Sequence, residues 1–462
     1  MIRATISQLV QMTQGELLTG NPAAEIKGVS TDSRAGISGR LFVPLVGERF
    51  DGHDFLTQAI SQGAVATLWQ TNRPLPEALD PRVAVIGVED TLLALQQLAK
   101  SYRQTLQLSL IGVTGSNGKT STKDLIAAVL AERFKVQKTQ GNLNNHIGLP
   151  LMVLALEPDT DVAVLEMGMS GIGEIALLAD IAAPEIGVIT NIGEAHIEYL
   201  GSRERIADAK FELIERLPDS GLALLYGDEP LLRALREKVP CEVEWFGFGE
   251  SNDVRAVEVR SLGLEGTVFR LEGDHSEYHV PIPGRHQVGN ALATVAIARR
   301  LGMTKEEIAS GLSKASLSAM RMEVKKRAAG GYVVNDAYNA SPTSMKAALR
   351  MLSETPDTDF KVAVIGDMLE LGAVAREMHY EVGHLAGELA IDLLVTVGQH
   401  AGDIAEGALA AGLAKEQIFV ADSKQRAIDF INRTTSTKRQ PVILVKASRG
   451  MKMEEVVTGL LA

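Results

Sequence analysis

The sequence predicts an α/β protein of three domains: a small α/β N-terminal domain, a central parallel-sheet domain with added antiparallel strands, and a C-terminal Rossmann-like open α/β domain. Three observations carry this prediction. The chain has 462 residues, too many for one ordinary core. From about Leu108 onward, short continuous apolar runs alternate with helix-length segments, the rhythm of parallel sheets covered on both faces. Between Val254 and Pro283 the alternation changes to period two, as antiparallel strands require.

Residues 1–104 form the first domain. They combine a short amphipathic helix, Ile6 to Leu17, with a strand-and-turn region rich in Gly, Ser and Asp, GVSTDSRAGISGRLFVPLVGERFDGHDF. Residues 105–319 form the second. Its strands read LSLIGV, DVAVLEMG and EIGVITNIG, a helix runs from Thr120 to Phe134, and GRHQVGNALATVAIARRLG closes the domain as a helix. Residues 320–462 form the third, with strands YVVND, KVAVIGD, DLLVTVG, QIFVAD and PVILVKA. Helices at 344–352, 375–390 and 424–432 separate several of them.

Composition excludes several classes of function. Lysine and arginine number 46 against 58 acidic residues, a formal charge of -12 that argues against nonspecific nucleic-acid binding. Cys241 is the only cysteine, so no internal disulfide, cysteine-based zinc site or CxxC redox pair can form. No segment approaches the ~18 apolar residues of a membrane span, and the N-terminus lacks the apolar core of a secretory signal. A cytoplasmic protein, acting as a monomer, is the expectation.

The stretch IGVTGSNGKTST at 111–122 lies at a strand-to-helix junction. It departs from the common phosphate-loop pattern, because Val113 stands where the first glycine would be. Gly115 and Gly118 nevertheless let the backbone turn N–H groups of Ser116, Asn117 and Ser121 toward an anion at a helix start. Lys119 would lie against the β/γ-phosphates of a nucleotide from an exposed loop, and the Thr120 hydroxyl is placed to ligate Mg²⁺. A P-loop ATPase-like domain is the consequence.

Other candidates sit at strand ends, where open α/β sheets place ligands. Glu166 follows DVAVLE and can reach a cation bound by Thr120; it can equally cap or pair with a neighbour. His196 follows GVITN, as a possible metal ligand or a solvated ring. Lys210, in IADAKFELIE, reads as a surface cation. Asp336 ends YVVND, with Asn339 in the turn behind it. Lys446 and Arg449 follow the last strand, where a clamp for an anion and a solvated helix start are equally compatible with their spacing.

Taken together, these motifs resemble the Mur ligase family, which builds the peptide of the bacterial cell-wall precursor. The match runs through STDSR (30–34), DGHDF (51–55), GSNGKTST (115–122), NLNN (142–145), LEMGM (165–169), TNIGEAHIEYLGS (190–202), AKFELIE (209–215), GRHQVGN (284–290), RMEV (321–324), DAYNASPTSMKAAL (336–349), GDMLELG (366–372) and KASRGMKME (446–454). The family's loop has the same shortened form. DAYNASPTSM and GDMLELG are similar to the branch that adds D-alanyl-D-alanine to UDP-N-acetylmuramoyl-tripeptide, and the DNPR motif of the sibling that adds the third residue is absent. Three positions depart from the pattern: Met320 stands where glycine is frequent, Ser341 where asparagine is, and His146 where glutamate is.

The resemblance implies roles. Ser30, Thr31, Asp32, Ser33 and Arg34 hold the uridine-diphosphate part of the substrate. Lys119 and Thr120 take ATP phosphate and Mg²⁺, with Glu166 and His196 at the metal site. Asn290 contacts adenine, while Arg321 and Asp336 bring the C-terminal domain to the nucleotide. Lys210 matches a lysine carried as a carbamate, which would orient a second Mg²⁺. Asn142, Asn144, Asn145, Asn339, Lys446 and Arg449 are implied for the substrates. The implied reaction is ATP-dependent amide formation through an acyl phosphate. A sibling ligase with another acceptor is the nearest alternative. A non-catalytic nucleotide-binding protein would show substitutions at Lys119, Thr120, Glu166 or His196, and none is substituted.

Overall fold

The computed structural model describes residues 1–34, 36–76 and 79–462. Three principal sheets follow one another along the chain. The first has five strands in the order 16–19, 84–88, 66–70, 41–42 and 29–30, parallel except for the antiparallel edge strand Glu16–Thr19. The expected helix to Leu17 is shorter than the pattern suggests. It spans Ile6–Thr13, opened by a Thr5/Gln8 capping box and closed by Gln14 at φ +55°. Gly15 then passes so near the sheet that a Cβ there would stand 2.6 Å from the Gly87 carbonyl oxygen. That close approach turns residues 16–19 into strand.

The second sheet has nine strands, in the order 277–280, 267–271, 254–261, 242–247, 222–226, 186–189, 109–114, 162–166 and 136–138. Pairing is parallel from Val254–Ser261 to Val136–Lys138, and the first two strands join antiparallel, as the period-two alternation requires. The Ser109–Thr114 strand shows why a parallel strand must be apolar throughout. Ile111 and Val113 pack toward helices Lys119–Leu130 and His286–Arg300, whereas Leu110 packs on the other face with the N-terminal helix Thr91–Arg103.

The third sheet has six strands, in the order 323–326, 332–335, 441–446, 360–366, 393–397 and 418–421, all parallel except the edge strand Glu323–Lys326. Its helices include Pro342–Glu354, Ala375–Glu388 and Lys424–Thr435, and also Ala401–Ala410, which the sequence reading does not single out. One face of this sheet shares an apolar cluster with the central domain, through residues such as Met322, Val334 and Leu349. The strand ends of the two domains meet across that contact. No helix among the described residues is long and apolar enough to cross a membrane.

Candidate active site

Two glycines shape the turn after Ser109–Thr114. Gly115 has φ +147°, and a Cβ there would stand 1.9 Å from Thr190 Oγ1; Gly118 has φ +80°, and its Cβ would meet Asn290 Oδ1 at 2.6 Å. Both conformation and space therefore demand glycine. The loop is pinned to the next strand end. Asn117 donates its N–H to Asn191 Oδ1 (2.9 Å), and its carbonyl oxygen accepts from Asn191 Nδ2 (2.9 Å) and Thr190 Oγ1 (2.5 Å).

Lys119 is the first residue of the helix and not part of an exposed loop. Its ammonium donates to the Gly115 carbonyl oxygen at 2.8 Å. Loss of water around it lowers its pKa, an effect that nearby Glu166 opposes and Arg321 reinforces. Thr120 Oγ1 donates to Glu166 Oε2 (2.8 Å), and Asn144 Nδ2 donates to Glu166 Oε1 (2.9 Å). The carboxylate is buried at the end of Val162–Glu166, so both neighbours fix it against the loop.

Asn290 faces the loop from the helix His286–Arg300. Its Oδ1 accepts from Thr122 Oγ1 (3.1 Å), and its Nδ2 donates to Gln287 Oε1 (2.9 Å). His286, at the start of the same helix, is stripped of enough water for its pKa to fall to about 4; Asp336 opposes and Lys446 favours that fall. Asp336 itself accepts from Lys446 Nζ (2.6 Å) and from the Met322 N–H (3.1 Å). Lys446 also donates to the Asn339 carbonyl oxygen (2.9 Å). The Arg321 guanidinium lies over the Tyr338 ring, 4.2 Å from its centroid, with a buried Nε that has no partner.

These groups line one cavity of about 420 Å³ between the central and C-terminal domains. Of the loop, Ser116, Asn117, Gly118, Lys119, Thr120 and Ser121 reach it. Asn144, Asn145, Glu166, His196 and Asn290 complete the central-domain wall, and Arg321, Asp336, Asn339 and Lys446 supply the C-terminal wall. Ser341 Oγ bridges the walls by donating to Asn117 Oδ1 at 2.8 Å, and Thr343 Oγ1 does so by donating to Glu194 Oε2 at 2.7 Å.

The remaining candidates are placed differently. Lys446 and Arg449, alike in the sequence, separate: Lys446 is buried, whereas Arg449 is exposed, pairs with Glu454 at 2.8 Å and borders a smaller neighbouring cavity. Asn142 is exposed and lines neither cavity. Ser30 to Arg34 lie in the N-terminal domain and line neither cavity. There the Arg34 guanidinium grips Asp32 through two 2.9 Å bonds, which hold the Asp32 carboxyl down to about 2. Ser30 Oγ accepts from the Asp32 N–H and Ser33 Oγ donates to Gln58 Oε1, with Thr31 in the same turn.

Lys210 is not the surface cation its helix suggests. It is 1 % exposed in Arg203–Glu215. Burial pushes its pKa well below that of an ordinary lysine, the charge of Lys119 pushes it further, and among the described residues no carboxylate offsets either effect.

The donor set suits a hard divalent cation. Thr120 Oγ1 and the Glu166 carboxylate lie side by side at the cavity wall. Among the described residues no group of three or more His, Cys, Asp or Glu forms a cage. Mg²⁺ characteristically takes one or two protein oxygens and completes its shell with waters and phosphates. His286, Gln287, Asn191 and Glu370 are site neighbours not singled out individually in the sequence. Their signal was there, since they lie within GRHQVGN, TNIGEAHIEYLGS and GDMLELG.

Comparison with known proteins covers the whole chain. The chain matches the Mur ligase family, catalytic domain over residues 25–103, the Mur ligase middle domain over 113–298, and the Mur ligase, glutamate ligase domain over 320–449. It is 46% identical to the UDP-N-acetylmuramoyl-tripeptide--D-alanyl-D-alanine ligase of Bacillus subtilis (strain 168), covering 100% of this chain and 99% of the relative. A crystal structure of MurF from Acinetobacter baumannii superposes with a TM-score of 0.90 at 35% identity, over 100% of this chain and 99% of the other. MurF ligase from Thermotoga maritima in complex with ADP superposes with a TM-score of 0.81 at 30% identity, over 94% and 97%. With three Mur ligase models matched in turn along its length and a full-length relative at 46% identity, the chain belongs to the Mur ligase family.

Proposed function

We propose that the chain is the ATP-dependent ligase that joins D-alanyl-D-alanine to the terminal carboxylate of UDP-N-acetylmuramoyl-tripeptide, giving the pentapeptide precursor, ADP and phosphate. The full-length identity to ligases of that name carries the reading, and the composition of the cavity supports it. Residues 1–104 hold the uridine-diphosphate end through the turn Ser30 to Arg34. Residues 105–319 bind ATP, and residues 320–462 close over it.

A carboxylate is a poor acyl donor, so it is first activated. A carboxylate oxygen of the tripeptide attacks the γ-phosphorus, the bond from that phosphorus to the bridging oxygen breaks, and ADP leaves. Chemistry of this kind depends on positioning and charge rather than on covalent participation by the protein. Lys119 and the N–H groups at the helix start face the transferring phosphoryl oxygens. When bound beside Thr120 and Glu166, Mg²⁺ supplies further positive charge to those oxygens. The amine of D-alanyl-D-alanine then attacks the acyl carbon, phosphate departs with the carbon–oxygen electron pair, and the amine loses a proton. Arg321, Asp336 and Lys446 form the wall that limits water while the acyl phosphate exists. Asn290 and its partner Gln287 border the base end of the nucleotide.

Lys210 fits the carbamate role implied by the family. CO₂ adds to a neutral amine, and burial beside Lys119 shifts this amine toward its neutral form. The resulting anion would relieve the unpaired cationic environment and give His196 a companion at a second Mg²⁺.

Phosphate release with ATP, Mg²⁺, UDP-MurNAc-tripeptide and D-Ala-D-Ala tests the function. Release that depends on both peptide substrates is expected. Release only when D-Ala-D-Ala is replaced by another amino acid would instead assign a sibling activity.

A further inference from the structure

His196 and Glu370 meet across the domain boundary. His196 has left-handed backbone, φ +67°, at the entrance to the short helix Ile197–Leu200, and its ring lines the large cavity. Its Nδ1 is buried and lacks a well-aligned hydrogen-bond partner, yet Glu370 Oε2 lies 2.6 Å from it. That carboxylate is therefore the group available to satisfy this nitrogen.

Glu370 arrives on a rigid mount. The loop 367–372 is tied down by side chains of its own domain. Asp367 accepts the N–H groups of Gln399 (2.8 Å) and His400 (2.9 Å), His379 Nε2 accepts that of Met368 (2.8 Å), and Ser448 Oγ accepts that of Leu369 (2.9 Å). Glu370 itself has φ +63°, and its carbonyl oxygen accepts from the Glu198 N–H at 3.3 Å. Two left-handed residues that are not glycine, facing one another, carry a strain that persists only where the surroundings enforce it.

We propose that Glu370 is a positioning residue for the reaction: from the C-terminal domain it holds His196 as the Nδ1–H tautomer, which leaves Nε2 as the lone pair for the cavity. As far as it concerns turnover, the inference rests on the ligase reading above. A neutral imidazole has one donor and one acceptor nitrogen, and the nitrogen that faces a carboxylate keeps the proton. The orienting carboxylate belongs to the other domain. Domain closure and readiness of His196 as a cation ligand thus become a single event, and the site is completed only when water is excluded.

Full-length protein labelled with ¹⁵N in the histidine rings, at pH 8, provides the test. Long-range ¹H–¹⁵N spectra report the tautomer, and His196→Gln assigns the signals. The wild type should show His196 as Nδ1–H alone. Glu370→Ala should show a mixture of tautomers, and its Mg²⁺ requirement for ADP formation should rise ten- to a hundred-fold, the range for loss of a group that orients a metal ligand. Glu370→Gln can still accept from Nδ1 through its amide oxygen and should recover the wild-type tautomer, which separates positioning from collapse of the loop. An unchanged tautomer in Glu370→Ala, or a changed tautomer with wild-type Mg²⁺ dependence, overturns the proposal. If the wild type forms no ADP with any acceptor, the ligase reading fails, and the tautomer comparison still decides how His196 is held.

Discussion

The Thr120 hydroxyl donates to Glu166 Oε2 at 2.8 Å and so ties the first turn behind the glycine loop to the end of the neighbouring parallel strand. Glu166→Ala removes the acceptor of both Thr120 and Asn144. The expected cost is about 1–3 kcal/mol in urea unfolding, the price of leaving buried donors unpaired. Phosphoryl transfer should fall by ~100-fold or more, with a raised Mg²⁺ requirement. A variant that keeps wild-type turnover at low Mg²⁺ would remove Glu166 from the metal site.

Gly115→Ala tests the loop geometry. The new Cβ meets Thr190 Oγ1 at 1.9 Å, and the backbone at φ +147° is hostile to any side chain. The expected destabilisation is about 2–4 kcal/mol, with nucleotide binding lost in step. Wild-type stability together with wild-type ADP affinity would contradict this geometry.

Half-buried Lys119 and fully buried Lys210 should respond differently. Lys119→Ala removes a poorly hydrated cation that makes one hydrogen bond, so the melting temperature should stay within a few degrees while turnover drops ~100-fold or more. Lys210→Ala should also lose turnover, and millimolar formate or acetate should restore part of it by standing in for a carbamate. Full activity in unsupplemented Lys210→Ala would show that the carbamate is not needed.

His286 gives a pH signature. Its pKa is about 4 in the folded protein against 6.5 for an ordinary histidine. The unfolded chain therefore binds the proton first as pH falls. The stability owed to a neutral His286 is complete above pH 6.5 and is lost progressively down to about pH 4. The ring is partly exposed at the cavity, so a loss of roughly 1–3 kcal/mol is expected. His286→Gln should be less steeply destabilised than the wild type over that window in urea titrations. Parallel pH profiles would refute the assignment.

Much of the fold was legible because parallel strands buried on both faces must be apolar throughout, and the runs at 109–114, 162–166, 186–189, 360–366 and 441–446 have that character. The helix ends at Thr13 although its apolar pattern continues to Leu17, because of an obstacle, the carbonyl oxygen of Gly87, that lies more than seventy residues away in the chain. Lys446 and Arg449 looked equivalent as cations after a strand, and only packing against Asp336 and Asn339 buried one of them.

By itself, the sequence determined the strand and helix rhythm, the glycine loop with Lys119 and Thr120, and the family to which the motifs belong. These are local or periodic properties, written in residues a few positions apart. The tertiary structure alone decided that Lys210 is buried beside Lys119, that His286 is held neutral, and that Glu370 of one domain meets His196 of another. Burial and charge proximity depend on residues distant in the chain, and protonation follows from both.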